Sequence, residues 1–526
     1  MNVAFDPWIP VVTTAGERKL VSLCTVLTEG EKFADLAVRP HERVALMRLF
    51  LCASHAALNG PKDYDDWRAV PKQLPKAAQN YLATWKDSFE LFHERKPWLQ
   101  VAGLAKKVEA NVLPDDIDDW TPVSKLSFAY ATGNNTTLFD HHGMSDNRSL
   151  ALALAETLLS MLTFQCFSPG GLISQVYWCG KQTGKSSKDG PCVSASMIHA
   201  FLRDDNLLGT IHLNLPSYED IRFYYGDRDS GKPIWEIPPT SFSDSVSIEN
   251  ATNTYVGRLV PMTRFIRIHP LGERMLLGDG LVYPSFSDGY TPEPTATVVI
   301  IKKKDKEERA LLSFRPAKAL WRELAAVIAK RKSEGLGGPL SLRAIQDGDD
   351  CDLIVAALAR VPGQATIVDT IEAVFHIPSQ LRSPDGTVTY ETEVKKADAL
   401  ASRLGWAVET YRGEVDHGWE GKLKSAGPAK GELKAKLQAL ATNHYWTAVE
   451  NKLPLLMAHI ETIGTDTAIH TRDVWRKMLF VTACDAYRIA CGQETPRQIR
   501  AFAKGWSKLI ATKDEPEDNE TKEDNV

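Results

Sequence analysis

Ser383-Pro384-Asp385-Gly386 marks the point where one texture of sequence gives way to another. A proline and a glycine two residues apart punctuate a regular element. After them, apolar positions recur with helical spacing through roughly Lys395 to Tyr411, Lys430 to Ala448, Pro454 to Thr462 and Arg472 to Ile489 onward, the pattern of a helical bundle. Before them, extended pieces alternate with helices. Phe5-Asp6-Pro7-Trp8-Ile9-Pro10-Val11 has two prolines that exclude a helix interior, so it reads as an opening strand. His41 to Leu58 carries Val44, Leu46, Leu49, Phe50 and Ala53 at mostly three- and four-residue spacing, which predicts a helix. Leu150 to Phe164 is apolar nearly all round and predicts a buried one. Thr297 to Ile301 and Ala310 to Phe314 flank the charged stretch Lys302 to Arg309, which predicts a β-hairpin with a solvated tip. The expected class is α+β: a large mixed α/β domain over residues 1–385, a helical bundle over 386–512 and a tail over 513–526.

The chain has 526 residues, 43% hydrophobic and 25% charged, which suits a folded protein with more than one core. A formal charge of -5 argues against a protein that coats nucleic acid unaided. That average conceals a division. Residues 513–526 hold seven acids against Lys513 and Lys522, a net -5, and form a compositionally disordered acidic tail. From Lys395 to Lys508 there are 18 Lys and Arg against 12 Asp and Glu, a net +6, which leaves residues 1–394 at -6. Such a basic stretch is either a set of solvated helix faces or a surface that follows phosphates.

The start of the chain has neither the basic residues nor the apolar run of a signal peptide, and no stretch reaches the ~18 apolar residues of a membrane helix. A cytoplasmic protein without membrane partners is expected. Eight cysteines, at 24, 52, 166, 179, 192, 351, 484 and 491, form no CxxC pair, so reduced core thiols are expected, with no metal and no cofactor.

Asp140-His141-His142 resembles the triplet with which a DHH phosphoesterase holds two metal ions. The strand-borne aspartates upstream and the glycine-histidine motif downstream are missing, so a metal-dependent phosphoesterase or nuclease is the alternative reading. The polar, glycine-bounded segment Ala131 to Gly143 around that triplet suits an exposed reading loop. Ser168-Pro169-Gly170-Gly171 directly follows the buried helix. It reads as a helix-terminating turn whose glycines leave backbone amides open to an anion or an approaching strand. Gly184-Lys185-Ser186 lacks the upstream glycine and strand of a Walker motif, and no Ser or Cys sits in a nucleophile elbow.

Taken in order, these landmarks resemble the CasA family, the large subunit of the type I-E CRISPR surveillance complex, Cascade. The resemblance runs through Trp8-Ile9-Pro10-Val11 and through His93-Glu94-Arg95-Lys96-Pro97-Trp98-Leu99-Gln100, similar to that family's HxxxPxxQ segment. It continues with the Asn134 to Gly143 loop, Ser168 to Gly171, Pro292 to Lys304, Gly363-Gln364-Ala365-Thr366 and the helix around His444-Tyr445-Trp446. It implies a mixed α/β N-terminal domain followed by a C-terminal four-helix bundle, and no catalysis. The implied partners are the CRISPR RNA-containing Cascade subunits, a double-stranded DNA target and a helicase-nuclease recruited after target binding. In that division of labour guide pairing reads the sequence, while the protein reads a short protospacer-adjacent motif and starts strand separation and R-loop formation.

Residue by residue, the resemblance maps an interaction loop entering the minor groove onto Asn134, Asn135, Leu138, Phe139 and Asp140. It maps a glycine-rich loop onto Gly170 and Gly171, and a wedge beneath the motif onto Gln364 with Ala365 and Thr366. Minor-groove reading is degenerate, so tolerance of several motifs is expected. Asp140 departs from the pattern, because a carboxylate facing DNA accepts hydrogen bonds only and repels phosphate. The family's motif-reading lysine has no clear counterpart, and Arg267 and Arg274 are candidates beside surface or ion-pair roles. In the basic bundle Lys422, Lys424, Arg497, Arg500 and Lys504 are the expected phosphate contacts.

Overall fold

The helix Pro40–Leu58 shows how the N-terminal part of the chain is organised. Pro40 starts it with a preset φ, the backbone N–H of Arg39 donates to the Glu42 carboxylate at 2.8 Å, and Asn59 closes it at a φ of 48°. Every residue from His41 to His55 is buried, including Arg43 and Arg48. The apolar spacing identifies this helix without revealing its depth, because the two arginines are buried as members of ion pairs. Arg43 pairs with Asp35 and, at 2.7 Å, with Glu372. Arg48 pairs with Glu293 at 2.6 Å and donates to the carbonyls of Leu259 and Arg258.

The computed structural model describes residues 1–106, 119–128, 154–226, 228–303, 306–316, 318–332, 335–361, 364–417 and 428–511. They divide into two compact units, Met1–Ile377 and Pro378 onward.

Among its described residues the first unit holds three antiparallel three-stranded sheets. In one, Ile9–Thr13 lies between Arg18–Val21 and Phe33–Leu36, with Ile9, Val11 and Thr13 buried, which is the strand expected from the opening prolines. In another, Arg274–Asp279 lies between Arg264–Ile268 and Thr121–Pro122. In the third, Cys351–Arg360 lies between Ile198–Arg203 and the edge strand Ile367–Ile377. The middle strand is covered on both faces and reads as a nearly continuous apolar run, whereas the edge strand alternates. The expected buried helix is Leu154–Phe167, closed to solvent from Thr157 onward.

The hairpin differs from its reading. Its strands are Val298–Lys303 and Lys306–Leu311, so most of the charged stretch assigned to the tip lies within the ladder. Lys302 faces Glu307 across the strands with an exposed ion pair at 3.8 Å. An exposed two-stranded ladder keeps its backbone pairing while the charged side chains stay in water, so charge did not mark the turn.

Among the described residues helices alone follow the last strand, as the change of texture suggests. The two units divide between Ile377 and Pro378, not at 385, and Ser383-Pro384-Asp385-Gly386 starts the 34-residue helix Pro384–His417. The Ser383 hydroxyl accepts the Gly386 N–H at 3.0 Å, and Pro384 sits in the first turn, where its missing N–H is harmless. Gly386 has to be glycine, since a Cβ there would lie 1.8 Å from the Gln380 carbonyl. The residues that look like a breaker are therefore a cap, and the helix begins well before the expected Lys395. Pro428–Glu450, Leu453–Glu461, Ala468–Ala490 and Pro496–Ile510 follow, giving, with the single turn Ser379–Arg382, four long helices and two short ones among the described residues.

These helices bury Tyr390, Leu404, Tyr445, Trp475 and Tyr487. Thr495 and Gln498 cap Pro496–Ile510 reciprocally. On that helix Gly505 allows a close approach: a Cβ there would meet the Tyr487 hydroxyl at 2.0 Å and the Ala407 carbonyl oxygen at 2.6 Å. Gly505→Ala is expected to destabilise this unit by about 1–3 kcal/mol through overpacking, against the ~1 kcal/mol that alanine normally adds to a helix. Urea unfolding followed by far-UV circular dichroism reads the change, and an unchanged midpoint would mean that the helices separate freely.

Candidate nucleic-acid interface

The apolar helix Leu154–Phe167 stops at Ser168-Pro169-Gly170-Gly171 because proline cannot continue it. The chain then runs extended beside residues 186–192. Gly171 and Leu172 pair with Ser187 and Ser186, Gly190 N–H donates to the Ser168 carbonyl at 2.8 Å, and Cys192 N–H donates to that of Cys166 at 3.0 Å. At Gly170 a Cβ would stand 2.9 Å from the Ser187 carbonyl oxygen, so the close pairing of the two segments requires glycine. Gly171 faces open space and needs glycine for its φ of 152° instead. Leu172, beside it, is 94% exposed. The result is a bare turn that shows backbone and one apolar side chain to solvent.

Asp189 ties this turn to a second one. Its Oδ1 accepts the Gly170 N–H at 2.7 Å and Nη1 of Arg360, also at 2.7 Å, while Nη2 of Arg360 pairs with its other oxygen. Arg360 ends the strand Cys351–Arg360, and its backbone N–H donates to the Ser196 hydroxyl at 3.1 Å. The chain then turns back to Ile367. Val361 N–H donates to the Thr366 carbonyl at 2.9 Å and Gln364 N–H to that of Val361 at 3.0 Å. Gln364 and Ala365 are exposed at this tip and Thr366 is half-buried. A single bidentate ion pair thus sets the glycine turn and the Gln364 tip side by side.

Arg264 braces the same place from below, with Nη2 2.8 Å from the Pro169 carbonyl and 3.0 Å from that of Lys188. Burial lowers its pKa to about 10, and the carboxylates of Asp279 and Asp189 oppose that shift. One layer further in, His199 Nε2 lies 2.9 Å from the Cys192 carbonyl and Nδ1 lies 2.8 Å from the Thr295 hydroxyl. A neutral ring satisfies both, donating from Nε2 and accepting at Nδ1. Burial accordingly holds its pKa at about 4.

The family described as CRISPR-associated protein Cse1 matches the chain over residues 2–486. The chain belongs to that family. A curated relative, CRISPR-associated protein CasA/Cse1 of Thermus thermophilus, is 29% identical over 96% of this chain and 95% of its own length. Among solved structures, CasA of Thermus thermophilus is 22% identical with a TM-score of 0.73, covering 97% of this chain and 98% of that one. Cse1 of Acidimicrobium ferrooxidans is 19% identical with a TM-score of 0.74, covering 97% and 96%. A chain of a CRISPR RNA-guided surveillance complex is 18% identical with a TM-score of 0.69, covering 97% and 99%. These last three are likenesses of fold, and they agree with the α+β class read from the sequence.

Within this Cse1-family chain, Asn134, Asn135, Leu138, Phe139 and Asp140, with His141 and His142, lie outside the described residues, as do Lys422 and Lys424 and the tail after Ala511. Arg497, Arg500 and Lys504 are exposed and share one face of Pro496–Ile510 by their three- and four-residue spacing. Lys504 pairs with Glu414 at 2.8 Å. Of the two arginines raised as candidates for the motif-reading cation, both half-buried, Arg267 donates to the Leu104 carbonyl at 2.8 Å and Arg274 to that of Trp120 at 3.1 Å. The exposed lysines nearest in sequence to the glycine turn's partner strand are Lys185 and Lys188, which the sequence reading passed over. It also missed Asp189, Arg360 and Arg264, although Lys188-Asp189-Gly190 carries an ordinary turn signal. Among the described residues no helix is long and apolar enough to cross a membrane, and no cluster of three His, Cys, Asp or Glu could hold a metal ion. All eight cysteines are free thiols.

His199, His41 and His55 are buried and held neutral. Burial takes His41 to about 3 and His55, like His199, to about 4. Each is protonated in the unfolded chain below about 6.5, so stability is full above that value and falls as pH drops towards the folded pKa. Between about pH 6.5 and 5 the loss is roughly 2 kcal/mol per histidine. Glu293, which burial would raise but Arg48 and Arg258 hold at about 2, adds to the loss only below its ordinary range near 4.5. Urea midpoints at about pH 7 and pH 5 are expected to differ accordingly, with a shallower slope in His199→Asn; a flat profile would show that these rings protonate in place.

Proposed function

We propose that the chain is the large, non-catalytic DNA-reading subunit of a type I-E CRISPR Cascade complex, acting in the cytoplasm. In this reading it recognises the protospacer-adjacent motif in double-stranded DNA through the minor groove, helps start duplex opening and R-loop formation, and recruits a helicase-nuclease. The observation that carries the proposal is the Asp189 carboxylate, shared by Gly170 and Arg360, which holds a side-chain-free turn next to an exposed glutamine. A glycine turn can approach a groove floor without steric conflict. A neighbouring amide with two donors and an acceptor can then sit beneath the first base pair and satisfy bases that lose their partners. Lys185 and Lys188 supply charge beside the turn, and Arg497, Arg500 and Lys504 supply phosphate contacts on the bundle. Lys504 shares its charge with Glu414.

The loop residues Leu138 and Phe139 complete the reading as the apolar part of a minor-groove contact. The near-neutral charge of the chain without its tail fits a subunit whose partners share the phosphate binding. The alternative of a DHH-like phosphoesterase would hold if the purified chain hydrolysed DNA with Mn²⁺ and lost that activity in Asp140→Ala.

Gln364→Ala is expected to leave initial binding of a motif-bearing duplex nearly unchanged and to slow its opening. Each stacking step is worth about 1.4 kcal/mol, so a wedge that holds one step apart matters when guide pairing begins. Fluorescence of 2-aminopurine at the first target positions measures the opening, and a pre-melted bubble beside the motif should restore the rate. Normal opening on intact DNA would return Gln364 to an ordinary surface position. For the bundle, Arg497→Gln with Arg500→Gln should flatten the dependence of log affinity on log salt by about 1.8, close to one unit per phosphate contact. An unchanged slope would mean that this helix face is merely solvated.

A further inference from the structure

Ser194-Ala195-Ser196 carries a backbone conformation that its residues resist. Ala195 has a φ of 54° and Ser196 a φ of 50°, and neither is glycine. A Cβ makes this left-handed region costly for one residue, and a chain keeps two in succession only where the bonds around them hold them there. Ser196 is buried and bonded on every polar group. Its N–H donates to the Val193 carbonyl at 3.0 Å, its carbonyl accepts the Phe314 N–H at 2.8 Å, and its hydroxyl accepts the backbone N–H of Arg360 at 3.1 Å.

That last bond lies at the root of the hairpin that ends at Gln364. The strand Ile198–Arg203 pairs with Cys351–Arg360 only as far as Ile198 opposite Ala357, and Met197 already bridges Ser313 instead. The end of the longer strand therefore runs past its neighbour. A strand N–H left there still needs an acceptor, and for Arg360 the Ser196 hydroxyl supplies it. The left-handed pair is what brings the hydroxyl to that place. Asp189 meanwhile holds the Arg360 guanidinium through both oxygens. A guanidinium on a flexible stem leaves its backbone free to tilt, and the hydroxyl bond removes that freedom. Gln364 follows in a tip closed by the bond from Val361 N–H to the Thr366 carbonyl, so a tilt at Arg360 is carried directly to the glutamine.

We propose that Ser196 is a positioning residue for Gln364: its hydroxyl, presented by the left-handed pair, sets the angle at which the hairpin tip meets the duplex. The role in duplex opening rests on the DNA-reading function proposed above; the hold on the tip does not. A serine that merely satisfied one amide would cost stability when lost and leave opening untouched. A serine that aims the tip separates the two steps, because motif binding depends on the glycine turn while opening depends on where the glutamine stands.

Ser196→Ala keeps the Cβ and removes the hydroxyl. In the full chain, hydrogen exchange followed by mass spectrometry over Arg360 to Ile367 is expected to quicken about fivefold, the ratio for one lost hydrogen bond, with the helix Leu154–Phe167 exchanging as in the parent. Assembled with guide RNA and partner subunits, Ser196→Ala should bind a motif-bearing duplex normally and open it as slowly as Gln364→Ala does, and a pre-melted bubble should restore the rate. Thr210→Val is the matched control, since it removes a similar bond, from Asp204 N–H to a buried hydroxyl at 3.0 Å, far along the chain. It should leave tip exchange and opening at parental values. The proposal is overturned if tip exchange is unchanged in Ser196→Ala, if Gln364→Ala slows opening and Ser196→Ala does not, or if Thr210→Val slows opening equally. Normal opening in both Gln364→Ala and Ser196→Ala overturns the DNA reading instead, and tip exchange then decides by itself whether the hydroxyl holds the hairpin.

Discussion

Glu293 is the buried charge around which the first unit closes. Its two oxygens meet Arg48 at 2.6 Å and Arg258 at 2.7 Å, so one carboxylate joins the helix Pro40–Leu58, the short helix Tyr255–Leu259 and the segment leading to Thr295. Breaking such a pair costs about 3–5 kcal/mol, because it strands a charge in a low dielectric. The surrounding carbonyls of Leu259, Arg258, Thr252 and Pro284 accept further hydrogen bonds from the two arginines, which is why so much charge can be buried in one place. From there the order passes outward. Thr295 holds His199, His199 holds the Cys192 carbonyl, and the Cys192 backbone pairs with the segment that ends at the glycine turn. The exposed turn therefore rests on a buried electrostatic frame.

Much of the fold is legible in sequence because its main signals are local. Leu154–Phe167 is buried on every side and is apolar on every side, and the two prolines near Ile9 leave only a strand. The misread places share one cause: a polar or breaking residue whose meaning depends on its neighbours in space. Pro384 and Gly386 break a helix interior, yet with Ser383 they cap one. Lys302 suits a solvated tip and a solvated ladder equally well. Arg43 and Arg48 carry no reading in the sequence at all, since their partners Glu372 and Glu293 lie hundreds of residues away.

The candidate interface is legible only in part, for the same reason. Gly170, Gly171 and Gln364 come from resemblance together with glycine and turn chemistry. That they are neighbours depends on the pair Asp189–Arg360, separated by 171 residues, and no spacing rule reports a contact at that distance. Arg264 is equally silent in sequence, since a buried arginine that braces carbonyls and one that meets solvent are the same letter.

The hairpin that ends at Gln364 also behaves as a ruler. Its root is fixed where Arg360 grips Asp189, and its far end is the short stretch between Arg360 and Ile367. An extended chain advances about 3.3 Å per residue, so adding or removing one residue on each arm moves the tip by roughly the rise of one base pair. Surface turns ordinarily tolerate changes of length. Under the proposed function this turn converts length into depth of reach, so its residue count matters more than the identity of most of its side chains.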